Sequence, residues 1–483
     1  MRFSEHYGLT SGQAGLDFVD VDVTTDVTLF IDPYPLRRRT DEWAEGCVGL
    51  LQSFFSAVLK TVKADDKEAG VALLRVLREP KETHLGFGRK DSRGSAIGPK
   101  IAGMLWDALA GSKAAKSGLL VDLEEAALLV EHVSLDRVSD VCTNVLRRPL
   151  IDYTKEQVSL HGVPTERVRS GPIWDPAAED WGPDEYVDLP VGPEGPILLV
   201  PKSIVRQRLT LDPGQYYRHY ILERFRDEEI AAGRGLVRVL KDGTRKPYLP
   251  KDEADGRLKS QDGSQKRANA RITESDEKLL SDYRRDVARG NRPNDPVDLE
   301  VLAGGEVDWD GMLAAVLDVL PGREGASVYH RAVRDLLTAL FYGELDGVKL
   351  EAEIEQGRKR VDLRYTNIAT SGFFSWLVRN HAPQPFVWCE CKNYTGDLGN
   401  ESLDQLTGRF AAATRGSFGL LLCRSFEDKS RFVERCREAA SAGRGFVLVL
   451  DDDDLRTLVL ARQNEDDHAV VAHMAGRFAE IVS

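Results

Sequence analysis

Short runs of alternating apolar and polar residues in the last third of the chain constrain its fold more than any other feature, because alternation with period two is the pattern of β-strands. Three such runs are followed by two uniformly apolar ones, and an amphipathic helical pattern precedes the set. The order helix, three strands, helix, strand, helix, strand is typical of an α/β layer with a mixed sheet. The helix is predicted at 327–341 and the strands at 348–355, 360–365, 386–392, 418–423 and 446–450.

Composition narrows the class of protein. The chain has 483 residues, of which 42% are hydrophobic and 30% charged, so a globular protein of about three domains is expected. Six cysteines without a CxxC pair argue against a disulfide framework or a zinc site, and no apolar run is long enough to predict a membrane span. The net charge of −13 argues against a protein that coats nucleic acid. We therefore expect a cytoplasmic protein without a membrane partner.

Three regions are predicted along this multidomain α/β chain. Residues 1–155 should be mostly helical and serve sensing or oligomerisation, although the alternation at 16–23 predicts a half-exposed strand there. Residues 156–310 should be α+β, with 251–298 forming exposed helix or a mobile charged linker. Residues 311–483 should contain the mixed sheet flanked by helices.

The strand predicted at 386–392 carries charge in an apolar setting. Alternation places Glu390 and Lys392 on one face, and Asp362 occupies the corresponding face of the preceding predicted strand. Buried charges cost several kcal/mol (about 3–5) unless they are paired or bind a metal. If the two strands are neighbours, the carboxylates of Asp362 and Glu390 converge beside the Lys392 amine.

Such a trio suits metal-assisted cleavage of a phosphodiester. Two carboxylates and the backbone carbonyl of Cys391 offer the hard oxygen ligands that Mg²⁺ prefers, and Mn²⁺ can substitute. Lys392 can orient a water molecule or stabilise developing negative charge. The alternative is a structural one, in which Asp362 pairs with Arg360 or Arg364 at the surface of an edge strand.

With Asp362 followed by Glu390-Cys391-Lys392 on consecutive strands, residues 325–460 resemble the PD-(D/E)xK nuclease superfamily, in particular Mrr-like restriction endonucleases. The resemblance implies a restriction-endonuclease-like fold, Mg²⁺ dependence and DNA cleavage. It assigns metal binding to Asp362, Glu390 and Cys391, and catalysis to Asp362, Glu390, Lys392 and the helical Gln405. His330 stands where such proteins commonly have a glutamate, which leaves the number of metals open.

Several basic residues are candidate nucleic-acid contacts. Arg409 lies four residues after Gln405 and therefore on the same helix face. A loop rich in Gly, Ser and basic residues precedes the helix predicted from residue 100, although a mobile surface loop is the better explanation of it. The candidates are His330, Arg360, Arg364, Arg409, Arg89, Lys90 and Arg93.

The sequence thus predicts a Mg²⁺-dependent DNA endonuclease of the restriction or phage-defence type, gated by its N-terminal regions. Double-stranded DNA is the expected substrate, with a homodimer or higher homo-oligomer presenting two sites and a regulatory protein as a further partner. Two alternatives stay open. One is a nucleic-acid-binding or scaffold protein with an inactive nuclease fold, and the other is a structure-specific repair or junction nuclease.

Overall fold

Two apolar cores organise the chain in the computed structural model. One core is built from residues between Phe3 and Leu302 together with Ala339, and the second from residues between Val316 and Ile481. Regions 1–155 and 156–310, predicted as separate, share the first core and pack as one N-terminal unit. The structure describes residues 1–86, 99–112, 115–116, 120, 122–239, 244–289, 298–354, 359–381, 384–396, 398–411 and 415–482.

Helices dominate the N-terminal unit. Several begin at side-chain caps, such as Asp41, Asp66, Ser134 and Ser264, each of which accepts a hydrogen bond from a backbone N–H in the first turn. No described helix has the length and apolarity that crossing a membrane requires. The helices of eight or more residues are Glu42–Lys63, Lys67–Leu74, Pro99–Gly111, Leu135–Val145, Arg147–His161, Leu222–Ala231, Lys251–Asp262, Gln265–Ser275 and Lys278–Arg289.

The remaining elements of this unit are short. Single-turn or two-turn helices connect the longer ones at Phe3–His6, Tyr34–Arg37, Leu123–Leu129, Pro213–Tyr216 and Leu299–Ala303, and Tyr217–Ile221 forms a π-helical turn. All strands here occur in antiparallel pairs. They are Phe30–Ile31 with Val205–Arg206, Glu166–Arg169 with Tyr186–Leu189, Ile173–Asp175 with Asp180–Gly182, Val191–Gly192 with Gly195–Pro196, and Leu236–Val239 with Arg245–Tyr248.

One expectation for this unit is wrong. Residues 16–23 form no regular strand, and Asp17 and Asp20 are buried rather than solvated, because hydroxyl and backbone N–H groups of distant segments satisfy their carboxylates. For the charged stretch the sequence left exposed helix or a mobile linker open, and within 251–289 the structure has three helices. The sparse apolar residues of this stretch lie at helical spacing and fill the first core, as Leu258, Ile272 and Leu280 illustrate.

The C-terminal unit contains the mixed five-stranded sheet that the sequence predicted. We label its strands β1 (Leu345–Ile354), β2 (Lys359–Asn367), β3 (Phe386–Thr395), β4 (Phe418–Ser425) and β5 (Phe446–Leu450). They lie in the order 1-2-3-4-5, and β1–β2–β3 pair antiparallel whereas β3–β4–β5 pair parallel. The strands β2, β3 and β4 each have a neighbour on both sides, and β3 lies at the centre of the sheet.

Helices cover this sheet and complete the α/β layer. The amphipathic helix α1 (Ala326–Leu340) buries Val333, Leu336 and Leu337 against the second core, and α2 (Asn400–Thr407) follows β3. Residues 355–358 lie outside the described part of the chain, and with them most of the turn predicted at 356–359. The other helices of the unit are Trp309–Leu317, Gly372–Asn380, Lys429–Ser441, Asp452–Gln463 and Asp467–Val482.

A buried polar cluster joins the two units. Asp17 of the N-terminal unit accepts hydrogen bonds from the Tyr153 hydroxyl (2.8 Å) and from the backbone N–H of Gly347 in β1 (3.1 Å). Asp346, also in β1, forms an ion pair with Arg39 and accepts a hydrogen bond from Ser203 at 2.7 Å. Because these groups are desolvated together, the edge of the sheet is fixed against the N-terminal unit.

This cluster makes a testable contribution to pH-dependent stability. Burial, followed by the charge of Asp346, raises the pKa of Asp17 to about 8. The folded protein then holds a proton that the unfolded chain releases, so this group's stabilisation is greatest at low pH and is lost as the pH rises from about 4 to about 8. We expect Asp17→Asn, which has no titrating proton at this position, to flatten the fall in melting temperature between pH 6 and pH 8. The exposed change Asp188→Asn is the control, and an equal fall in all three proteins contradicts the assignment.

Candidate active site

The register of β2 and β3 brings the predicted carboxylates together. The paired register of β2 and β3 ends with Leu363 opposite Cys389, so Asp362 and Glu390 are the next residue of each strand beyond that pair. By strand alternation these two side chains fall on the same face of the sheet. The neighbouring strands that the sequence analysis required are therefore present.

Glu390 is held by two cations inside the protein. Its side chain is 1% exposed, and its Oε1 accepts a hydrogen bond from the Lys392 amine at 2.8 Å. The guanidinium of Arg409, itself 6% exposed, forms an ion pair with Oε2. Both carboxylate oxygens of Glu390 thus have charged partners, which offsets the cost of burying the group.

Asp362 is fixed by the backbone of the adjoining strand. Its Oδ2 accepts a hydrogen bond from the N–H of Cys391 at 2.8 Å, and its side chain is 24% exposed. Burial and then the negative charge of Glu390 raise the pKa of Asp362, whereas His330 and Lys392 act in the opposite direction. Two carboxylates that repel each other in a partly desolvated site favour binding of a cation between or beside them.

His330 on α1 reaches the same place. Its Nε2 lies 3.1 Å from the carbonyl oxygen of Cys391 and 3.9 Å from Oδ2 of Asp362. The predicted carbonyl ligand is therefore within hydrogen-bond distance of an imidazole nitrogen. A histidine in this position can donate to that carbonyl or, when neutral, offer a nitrogen ligand of its own.

Gln405 also joins the group, from helix α2. Its Oε1 accepts a hydrogen bond from the Lys392 amine at 3.3 Å, although the side chain is otherwise exposed. Lys392 is thus held between Glu390 and Gln405, and its amine has a defined position on the polar face of β3. The contacts form two groups that adjoin along β3: Asp362 with Cys391 and His330, and Glu390 with Lys392, Gln405 and Arg409. Arg409 was predicted on the helix face of Gln405, but α2 ends at Thr407, so it reaches Glu390 from the turn after the helix.

The remaining candidates lie elsewhere or outside the described atoms. Arg364 is half-buried, with its guanidinium 4.5 Å from the centre of the Phe386 ring, and burial lowers its pKa. The side chain of Arg360 falls outside the described part of the structure. The loop residues Arg89, Lys90 and Arg93 likewise lie outside the described residues, so their predicted contacts stay predictions.

Sequence reasoning missed the segment that supports the end of β3. The Asn393 side-chain amide donates to the carbonyls of Leu320 (2.8 Å) and Gly322 (3.0 Å), and Gly322 donates back to the Asn393 carbonyl. Arg424 of β4 donates to the Asn393 side chain and to backbone carbonyls of the same segment. Residues 317–322 therefore fix the backbone next to Lys392. The Pro321-Gly322 turn is the only signal of this in the sequence.

The donor set fits a hard cation in chemical type. Asp362 and Glu390 provide carboxylate oxygens and Cys391 a carbonyl oxygen, which are ligands that suit Mg²⁺. Within the described ranges, no group of three or more His, Cys, Asp or Glu side chains is arranged to hold a metal. A metal here would therefore depend on two side chains and the backbone, and would compete with Lys392 and Arg409 for Glu390.

Comparison with known proteins gives one partial match. A family model described as a domain of unknown function (DUF8370) matches residues 8–212. No curated protein and no solved structure matches the chain. The matched range lies in the N-terminal unit, so it bears on the part that contacts the sheet through Asp17 and not on the strands that carry Asp362 and Glu390.

Proposed function

We propose that the chain is a metal-dependent DNA endonuclease whose active site lies on the polar face of β2 and β3. One observation supports this most strongly. Asp362 and Glu390 adjoin the last paired residues, Leu363 and Cys389, of neighbouring strands, and the Lys392 amine lies 2.8 Å from Glu390 on the central strand. Two converging carboxylates with an adjacent ammonium are what metal-assisted phosphodiester hydrolysis requires.

The residues take distinct roles in this proposal. Asp362, the carbonyl of Cys391 and Glu390 would hold Mg²⁺, and Mn²⁺ can replace it. When bound, the metal supplies Lewis-acid stabilisation of charge on the phosphate oxygens. Lys392 orients the attacking water and stabilises negative charge near the phosphate, while Gln405 and Glu390 keep its amine in place.

The proposed substrate is double-stranded DNA, cut by two copies of the chain because each site cleaves one strand. The N-terminal unit is proposed to gate the nuclease, since the buried cluster of Asp17 and Asp346 connects it directly to β1. A cytoplasmic restriction or phage-defence effector, with or without a regulatory partner protein, is the role that this arrangement suits.

One observation favours a second candidate. Both oxygens of Glu390 are paired with cations, which is also the arrangement of a purely structural ion cluster. An inactive nuclease fold that binds nucleic acid as a module or scaffold would have the same contacts. A structure-specific repair or junction nuclease shares the active-site chemistry and differs only in substrate shape.

Cleavage of supercoiled plasmid in Mg²⁺ tests the proposal. We expect the intact protein to nick and linearise the plasmid, and Lys392→Ala and Glu390→Ala to lose at least about 10²-fold in rate, as for removal of one transition-state donor. Arg431→Ala, an exposed change on another helix, is the matched control and should cut normally. Equal cutting by all four proteins, or DNA binding without cutting in both Mg²⁺ and Mn²⁺, overturns it. Branched and linear substrates separate junction cleavage from restriction.

A further inference from the structure

A two-stranded ribbon in the N-terminal unit, Leu236–Val239 paired with Arg245–Tyr248, stands out because all eight of its residues are exposed. Its apolar side chains are not covered, with Val239 62% and Val237 56% exposed. An isolated two-stranded hairpin is marginally stable in water by itself. We therefore expect this exposed apolar ribbon to contact a ligand or a partner molecule.

The charge of the ribbon is opposite to that of the chain. Residues 234–248 contain five basic and one acidic residue, in a protein whose net charge is −13. Arg238 lies directly opposite Lys246 in the register, and like charges in directly opposed positions destabilise a ladder. Across the described ranges, neither residue nor Arg245 has a carboxylate partner. This local positive charge is uncompensated within those ranges, and an anionic ligand would relieve it.

The base of the ribbon is rigid. Glu229 at the end of helix Leu222–Ala231 forms ion pairs with Arg234 and Arg257, and Arg257 also donates to the Arg234 carbonyl at 3.0 Å. Just after the second strand, which ends at Tyr248, Arg226 donates a hydrogen bond to the carbonyl of the buried Leu249 at 2.7 Å. The strands therefore project from a fixed support, which lowers the entropic cost of binding.

We infer that this ribbon binds duplex DNA, with Arg238, Arg245 and Lys246 contacting phosphates. A two-stranded ribbon fits the major groove, which is about 12 Å wide, and exposure of both faces suits an element with a groove wall on either side. Arg238 and Lys246 share one face with Leu236 and Tyr248, and Arg245 shares the other with Val237, so both faces offer charge and apolar surface. The inference names the DNA-binding element of the proposed nuclease and in that respect rests on the proposed function.

Fluorescence anisotropy of the full chain on a labelled 30-base-pair duplex, in EDTA, measures this binding without cleavage. We expect the triple change Arg238→Gln, Arg245→Gln and Lys246→Gln to weaken binding at least about 10-fold, and to reduce the slope of log affinity against log salt by about 2 to 3. The matched control removes the same charge from exposed Lys63, Arg75 and Lys81. The double change Arg238→Lys and Arg245→Lys keeps the charges and should bind within about 2-fold of the parent, as expected for phosphate contacts.

The outcomes separate this inference from the proposed function. Loss of binding in the triple variant alone, with an unchanged circular dichroism spectrum, supports the ribbon even if the plasmid assay shows no cutting. Equal loss of binding in the triple and control variants would mean that binding depends on net charge alone, and this result overturns the inference. Unchanged duplex binding in the triple variant also overturns it, and so does ribbon-dependent binding to anionic vesicles or single-stranded RNA without binding to the duplex.

Discussion

Asp362→Asn is expected to reduce Mg²⁺-dependent DNA cleavage about 10³-fold. Asparagine has nearly the same shape and its amide oxygen can still accept the hydrogen bond that the Cys391 N–H donates to Oδ2, so the strand should keep its position. What is lost is the negative charge of one of two metal-binding carboxylates, and a bound metal contributes several kcal/mol (about 4) of transition-state stabilisation. Single-turnover cleavage of a labelled duplex measures the loss.

A second readout distinguishes loss of the cation from a general defect. Calorimetric titration with Mn²⁺ should show at least about 10-fold weaker binding in Asp362→Asn than in the parent protein. Asp404→Asn is the matched control, because Asp404 is exposed on α2 and pairs only with groups away from β2 and β3. Full cleavage by Asp362→Asn would falsify the assignment of this residue to the metal.

Arg409→Ala should destabilise the C-terminal unit by about 3 kcal/mol. The change removes one of two cationic partners of Glu390, whose side chain is 1% exposed, and breaking a buried ion pair from one side leaves a carboxylate poorly compensated. Lys392 retains its own contact at 2.8 Å, which keeps the loss near the lower end of the usual range. Urea unfolding followed by tryptophan fluorescence measures this loss of stability, since Trp388 lies in β3 together with Glu390.

A double change tests the cause of that loss. Arg409→Met with Glu390→Gln removes both charges of this pair and should recover part of the stability, because Lys392, 19% exposed, keeps its contact with Gln405. Arg444→Ala is the control and should cost less than about 1 kcal/mol, since its pair with Asp404 is half-exposed. A stable Arg409→Ala protein with weakened DNA binding would instead assign Arg409 to phosphate, as the sequence predicted.

The sheet and its flanking helices could be predicted because their signals are local. Alternation at 360–365 and 386–392 identifies strands with one polar face, and the apolar runs at 418–423 and 446–450 identify strands covered on both faces. The mixed five-stranded sheet has these strands as neighbours in chain order. The short connection between β1 and β2 favours their pairing, whereas β2 and β3 are joined by a longer connection that contains helix Gly372–Asn380.

Burial of charge was the least predictable property. Asp17 and Asp20 have the alternation of a solvated strand face, yet both are buried, because their partners Tyr153 and Ser4 come from other segments. For the same reason the sequence could not decide between exposed helix and linker at 251–289, where the few apolar residues belong to the first core. The composition of a segment indicates how polar it is, but not which groups of other segments face it in the folded protein.

The amino-acid sequence by itself determined the α/β layer and the choice of Asp362, Glu390 and Lys392 as one group, since strand periodicity fixes which side chains share a face. Gln405 was added by the resemblance to Mrr-like nucleases alone. Only the tertiary structure decided that Arg409 pairs with Glu390 and that His330 reaches the Cys391 carbonyl. The physical reason is distance along the chain. A local pattern sets the direction of a side chain, whereas the group that its end contacts depends on which distant segment packs against it.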